Sequence, residues 1–235
     1  MAELINSPLF GIMLSLLAFE FGCILYNKTK IALFNPLFVS QILIIIFLLK
    51  FHISLEFYNK GGQLISFFLG PATVVLAVPL YRKLKLLKAN AFAIFTGITV
   101  GSIFGMTSII LLGQAFGLNE LLKLSMVPKS VTTPIGISIS SQLGGIPAVT
   151  VAAIIITGIL GAIIGPYICK IFRIKDSVAI GVAMGTASHA LGTTKALELG
   201  ETEGAMSSLS VGIAGLITVL LAPIIVKFFM FMHLF

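Results

Sequence analysis

Residues 185–198 read GTASHALGTTKALE. A histidine, a lysine and several hydroxyls sit here inside an apolar run long enough to cross a bilayer. An ionisable group at the bilayer centre costs several kcal/mol, about 2.5–3.5 on insertion scales, so such groups persist mainly where they line a cavity or a pathway. The glycines and threonines break helical regularity, and irregular backbone at membrane depth is tolerated only when buried in protein or facing water. The stretch therefore reads as a working site in a membrane protein.

The rest of the chain agrees with that class. Of 235 residues, 58% are hydrophobic and 10% charged. A soluble domain of this length cannot hide so much apolar surface in its own core, so lipid must cover part of it. No polar stretch is long enough for a separate soluble domain, and residues 1–235 are expected to form a single transmembrane domain. Cys23 and Cys169 lie in apolar segments and imply no disulfide framework. The first apolar run lacks a basic leader and a cleavage site, which predicts a retained helix. The net charge of +7 sits in short loops between apolar runs, as membrane topology requires, and argues against nucleic acid.

The apolar runs cover Pro8–Tyr26, Leu37–Phe51, Gly61–Tyr81, Ala91–Gly113, Ile146–Phe172, Val178–Leu199 and Ala205–Phe231. Each approaches or exceeds the ~20 residues of a spanning helix, which predicts an all-α membrane protein with about seven spans. Residues 118–145 differ: Pro128, Pro134 and Gly136 interrupt any continuous helix. Basic loops belong in the cytoplasm. Lys28 with Lys30, Arg82 to Lys88, and Lys170 to Lys175 share one side only if residues 118–145 enter and return as a re-entrant hairpin. That count puts the amino terminus and the loop of Glu198, Glu201 and Glu203 outside, and the carboxyl terminus in the cytoplasm. Two spans of opposite direction are interrupted, at Gly70–Pro71 and around His189–Thr194. Paired breaks of this kind predict an inverted repeat, about 1–113 and 118–235, with two interrupted helices crossing at the midplane.

The breaks supply the candidate site. Pro71 follows Gly70 and suits the first turn of a half-helix, with Ala72 and Thr73 beside it. Thr193 or Thr194, after Gly192, is placed to cap a second half-helix. Two facing helix N-termini favour an anion. Lys195 adds a full charge; the alternative is that it snorkels, or pairs with Glu198 three residues on. His189, beside Ser188, is either a proton relay or a neutral packing group bonded to a backbone carbonyl. Glu20, deep in the first span, is the other candidate for proton coupling. Ser130, Thr132 and Thr133 place hydroxyls in the hairpin, with Lys129 at its entrance. No spacing fits a metal site or a cofactor. Gly97, Gly101 and Gly105, then Gly158, Gly161 and Gly165, then Gly181 and Gly185, read as close-packing faces.

The segments LGPATVVLAVPLY, VPKSVTTPIGISIS, ITGILGAIIG and GTASHALGTTKALE, with GAMSSLS after them, resemble the LrgB/CidB family of bacterial membrane proteins over nearly the whole chain. The resemblance implies an antiholin-like or holin-like protein of the bacterial plasma membrane, modulating murein hydrolases and cell lysis together with a small LrgA or CidA partner. It also implies similarity to the carboxyl-terminal half of the plastid glycolate/glycerate transporter, and an inverted-repeat carrier fold. Two functions follow as expectations. One is a carrier for small monocarboxylates such as pyruvate, glycolate or glycerate, working as a homo-oligomer in the lipid bilayer. The other is a lysis regulator that assembles without a substrate. No nucleophile–base–orienter set points to an enzyme.

Overall fold

The structure, a computed structural model, describes residues 7–29, 34, 36–68, 71, 74–75 and 77–232. Their regular structure is helical. The chain forms two compact units, residues 1–75 and 76–235.

In the first unit, α1 (Pro8–Thr29) packs against α2 (Pro36–Lys50) and α3 (Leu55–Phe67). Small residues set the approach. A Cβ on Gly61 would meet the backbone of Gly11 at 2.8 Å, and one on Gly22 would meet that of Pro36. Ser15 and Tyr58 hydroxyls lie 2.9 Å apart across the α1–α3 contact. The second predicted span falls on α2, whose 15 residues reach about 22 Å.

The second unit holds α4 (Ala77–Arg82), α5 (Leu84–Ala115), α6 (Glu120–Met126), α7 (Thr133–Leu143), α8 (Pro147–Ile171), α9 (Ser177–Leu199) and α10 (Glu201–Phe231). Together with α1, the helices α5, α8 and α10 are long and apolar enough to cross a membrane. α5 and α10 run parallel. Ile94 and Ile98 share a cluster with Ala205, Met206 and Ala214, and Met106 and Ile110 share another with Ala222, Val226 and Phe229. Both helices start at one end of the unit, where Lys83 and Arg82 reach Glu201 at 3.5 and 3.9 Å.

Two helical hairpins fill the space between the long helices. In the first, α6 and α7 are joined by a turn at 127–132. Asn119 caps α6 by accepting from the Leu122 amide at 2.9 Å. The arms have 7 and 11 residues, about 10 and 17 Å, too short to cross a ~30 Å hydrocarbon core. Ser125, Ser140 and Thr150 staple the arms to α8. Thr150 donates to the Ser125 carbonyl at 2.8 Å and lies 2.6 Å from the Ser140 hydroxyl, and the Ile146 amide donates to Ser125 Oγ at 2.7 Å. Val127, Pro128 and Val131 of the turn are buried.

The second hairpin is α9 itself. Asp176 caps it, accepting from the Ala179 amide at 2.8 Å. At His189 the backbone leaves the helical region, with φ 43° and ψ −136°. The chain then folds back. A Cβ on Gly181 would touch Glu203 Cα at 3.0 Å, and one on Gly204 would touch Leu197 Cα at 3.1 Å. A straight helix would hold Gly181 and Leu197 about 24 Å apart, so they could not both reach adjacent residues. The arms are residues 177–188 and 190–199. The glycines of α8 receive the first arm: Gly165 faces Met184, Gly161 faces Ser188, and Gly158 faces His189.

This corrects three expectations. Residues 178–199 are not a crossing interrupted helix, because one residue reverses the chain instead of kinking it. The loop of Glu198, Glu201 and Glu203 therefore lies at the same end as Arg82 and Lys83, not opposite them. α10 then leaves that end, so its carboxyl-terminal turn lies at the end opposite the Arg82–Lys88 cluster rather than beside it.

Candidate functional site

Both hairpins reach Ile154 of α8 with their turns. Gly136, on the first turn of α7, packs so closely on Ile154 that a Cβ there would collide with the Ile154 side chain. From the other hairpin, His189 Nε2 lies 3.0 Å from the Ile154 carbonyl oxygen. The carbonyl can only accept, so the ring donates from Nε2. His189 is 5% exposed, a buried ring held on a backbone carbonyl.

Beside this meeting point lies a cavity of about 650 Å³. One wall is the α5 stripe of Gly97, Gly101 and Gly105. The opposite wall is the first arm of α9, from Val178 to Ala187. Lys129 and Ser130, on the turn of the first hairpin, line it too, as do Asn90 and Asp176. Asn90 and Asp176 stand near the starts of α5 and α9. The glycine stripe read as a packing face thus forms a cavity wall, with one tight contact. A Cβ on Gly101 would stand 3.1 Å from the Thr186 methyl. A second, much smaller void of about 10 Å³ adjoins it, lined by Ser102, Ser130, Thr186 and Thr218 among others.

The hydroxyls here divide into two sets. Thr96, Thr99 and Thr218 each donate to the carbonyl four residues back, and Ser108 to the one three back. This is the usual way a membrane helix satisfies a hydroxyl. Ser102 Oγ and Thr186 Oγ1 do not. Among the described residues they are the buried side-chain oxygens without a hydrogen-bond partner, at 7% and 8% exposure. A buried unpaired hydroxyl costs about 1–3 kcal/mol, so the pair marks a place suited to a polar ligand group.

The expected site residues are placed as follows. Gly70, Ala72 and Thr73 lie outside the described residues, and Pro71 is helical and exposed. Ser130 lines both cavities. Thr132 precedes α7 as its N-cap and makes no side-chain cap bond; Thr133 begins the helix, half-buried. Ser188 is buried on Gly161, and Gly192 on Met184. Thr193 and Thr194 do not cap a half-helix, because the second arm starts at Ala190. They donate instead to the carbonyls of His189 and Ala190, both at 3.2 Å, and Thr193 also meets Ser207 at 2.9 Å. Lys195 Nζ donates to Glu198 Oε2 at 2.7 Å, the i+3 pair that the spacing allows. Glu20 is exposed on α1. Among the described residues, no three His, Cys, Asp or Glu side chains gather as a metal would need. Ser102 and Thr186 were not singled out as site residues from sequence. Thr186 stands in the GTASH stretch and Ser102 within the glycine stripe, but a lone hydroxyl in an apolar helix carries no distinguishing signal.

The model of the LrgB-like family matches residues 15–228. Relatives named antiholin-like protein LrgB, from Bacillus mycoides (strain KBAB4) and Bacillus cereus (strain B4264), are each 41% identical over 223 residues, covering 94% of this chain and 97% of the relative. The protein of the same name from Bacillus anthracis (strain CDC 684 / NRRL 3495) has the same identity and coverage. No solved structure matches.

Proposed function

Because this chain belongs to the LrgB-like family, we propose that it serves in the membrane as an antiholin-like protein, and that its physical act there is to carry small monocarboxylates of the pyruvate, glycolate or glycerate type. The antiholin-like part is supported directly by the names of the relatives. The carrier part is supported by one observation: two hairpins enter the second unit from opposite ends, and their turns converge on Ile154 beside a cavity with polar ends. A protein that acts only by oligomerising has no use for such a meeting point. A change in lysis follows indirectly from altered metabolite flux.

In this reading both hairpins are re-entrant. The order helix, hairpin, helix, hairpin, helix over residues 84–231 has the hairpins in opposite senses, the pattern of an inverted repeat with its site at the midplane. The first turns of α7 and of the second α9 arm both lie by Ile154, so two helix N-termini favour negative charge there. Ser130, Thr132, Thr133, Ser188, His189, Gly192, Thr193 and Thr194 form the frame of the site. The end bearing Arg82, Lys83, Lys85 and Lys88 is the cytoplasmic one in a bacterial plasma membrane. A small LrgA/CidA-like protein and self-association complete the working assembly.

The test is uptake of radiolabelled pyruvate, glycolate and glycerate into proteoliposomes holding the full chain, alone and with the small partner. Uptake above empty vesicles is expected. Absence of uptake in both arrangements, with an altered murein hydrolase activity in cells expressing the chain, leaves the antiholin-like role without carriage.

A further inference from the structure

We propose that Lys129 is the cation that binds the transported anion, with Ser102 and Thr186 supplying the hydroxyls that complete the site; this rests on the carrier reading. Lys129 is half-buried at the turn of the first hairpin. Its ammonium lies 3.3 Å from Ser130 Oγ and lines the large cavity. Ser130 and Thr186 line both this cavity and the small void that Ser102 also lines. A cation and one unpartnered hydroxyl, Thr186, thus line the large cavity, and a second, Ser102, lines the small void that shares Ser130 and Thr186 with it, so that α5 and both hairpins contribute.

The charges of the lining set the ligand class. Lys129 and Asp176 are its charged side chains. Asp176 stands exposed at the start of α9, where solvent screens its charge, and one of its carboxylate oxygens accepts from the Ala179 amide. One ammonium balances one negative charge. A dicarboxylate or a phosphate dianion brings a second charge that no lining group offsets, and a buried unpaired charge is strongly disfavoured. The ammonium, a compact point charge, suits a carboxylate oxygen without demanding bidentate geometry. Ser102 and Thr186 then find in the ligand the partner that the protein does not provide. The site is selective for compact monocarboxylates. Its three contributors sit on three separate elements, so the ligand joins the two hairpins across α5.

The experiment uses the full chain in proteoliposomes with radiolabelled pyruvate as the probe and succinate as the dianionic competitor. Lys129→Met is expected to raise KM about 10- to 100-fold, the loss of one charge-assisted hydrogen bond. Ser102→Ala and Thr186→Val are each expected to raise it about 3- to 10-fold. Lys88→Met, at an exposed lysine outside the cavity, serves as the control and retains normal uptake. Succinate should compete poorly with the wild type. Lys129→Cys in a chain lacking Cys23 and Cys169 separates folding from binding. Aminoethylation, which restores a cation, should recover uptake, and methylthiolation should not. Uptake by Lys129→Met with a normal KM, or equal recovery by both reagents, overturns the assignment while leaving the carrier reading intact. A wild-type chain that takes up no pyruvate overturns both.

Discussion

Gly192 packs directly on the backbone of Met184: a Cβ at Gly192 would stand 3.1 Å from the Met184 carbonyl carbon. In a continuous helix, residues eight apart are separated by about 12 Å. The contact requires the chain to reverse between them. It reverses at His189, whose φ and ψ lie in a region that side chains other than glycine rarely adopt.

The reversal predicts an unusual order of variants. His189→Gly loses the bond to Ile154 but relieves backbone strain of about 1–3 kcal/mol. His189→Ala loses the same bond and keeps the strain. The glycine variant should therefore be the more stable of the two, by about 1 kcal/mol or more, in thermal unfolding of the purified protein in detergent. A continuous helix predicts the reverse order, with glycine about 1 kcal/mol the worse.

A second prediction concerns sidedness. Lys85, Asp176 and Glu201 lie at one end of the second unit, and Phe231 closes α10 at the other. Single cysteines at the first three positions, in a chain lacking Cys23 and Cys169, should label with a membrane-impermeant reagent from one face of the membrane. A cysteine at Phe231 should label from the other. Labelling of Lys85→Cys and Glu201→Cys from opposite faces would mean that residues 178–199 cross the bilayer.

Gly158 offers a packing test. A Cβ there would meet His189 Cε1 at 2.6 Å and Nε2 at 2.7 Å, and the ring cannot move without leaving the Ile154 carbonyl. Gly158→Ala should cost about 1–3 kcal/mol, read as a lower Tm. At Gly212, where no atom lies within 4 Å of an added Cβ, the same change should be neutral or stabilising, since alanine favours a helix over glycine by about 1 kcal/mol. Equal effects at the two positions would remove the argument for close packing of α8 on the second hairpin.

Lys195 should tolerate replacement. Its pair with Glu198 is 30% and 54% exposed at the two side chains, and pairs of that kind contribute about 0.2–1 kcal/mol. Lys195→Met is expected to keep uptake within about twofold of wild type, with little change in Tm. Abolished uptake in a folded, inserted Lys195→Met would return the anion to this residue and away from Lys129.

Much of this fold is legible in the sequence, and the failures have a common cause. Pro128, Pro134 and Gly136 announce an interrupted segment, and the structure makes it two short arms with a buried turn. Gly158, Gly161, Gly165, Gly181 and Gly185 announce close packing and deliver it. Around His189 the composition announces a break but not its sense. A kink and a reversal differ in one residue's backbone angles, and the run from 178 to 199 has the length of a span either way. Every later sidedness inherits that choice, and with it the ends to which the sequence assigns Glu201 and the carboxyl-terminal turn. The pairing of Lys195 with Glu198 follows from spacing alone. Ser102 and Thr186 become conspicuous only once their neighbours are known, because what marks them is a bond each fails to make.

The short arms also bear on how the protein is made. α5, α8 and α10 can partition into the bilayer one at a time, each satisfying its own backbone. Neither hairpin can. Its turn exposes amides and carbonyls that lipid will not accept, and its walls are supplied by the long helices, α8 and α10 for both hairpins. In the proposed re-entrant arrangement the second hairpin emerges before α10, although its final seat needs Gly204 and Ser207. That arrangement implies insertion in two stages, with the long helices first and the hairpins closing last.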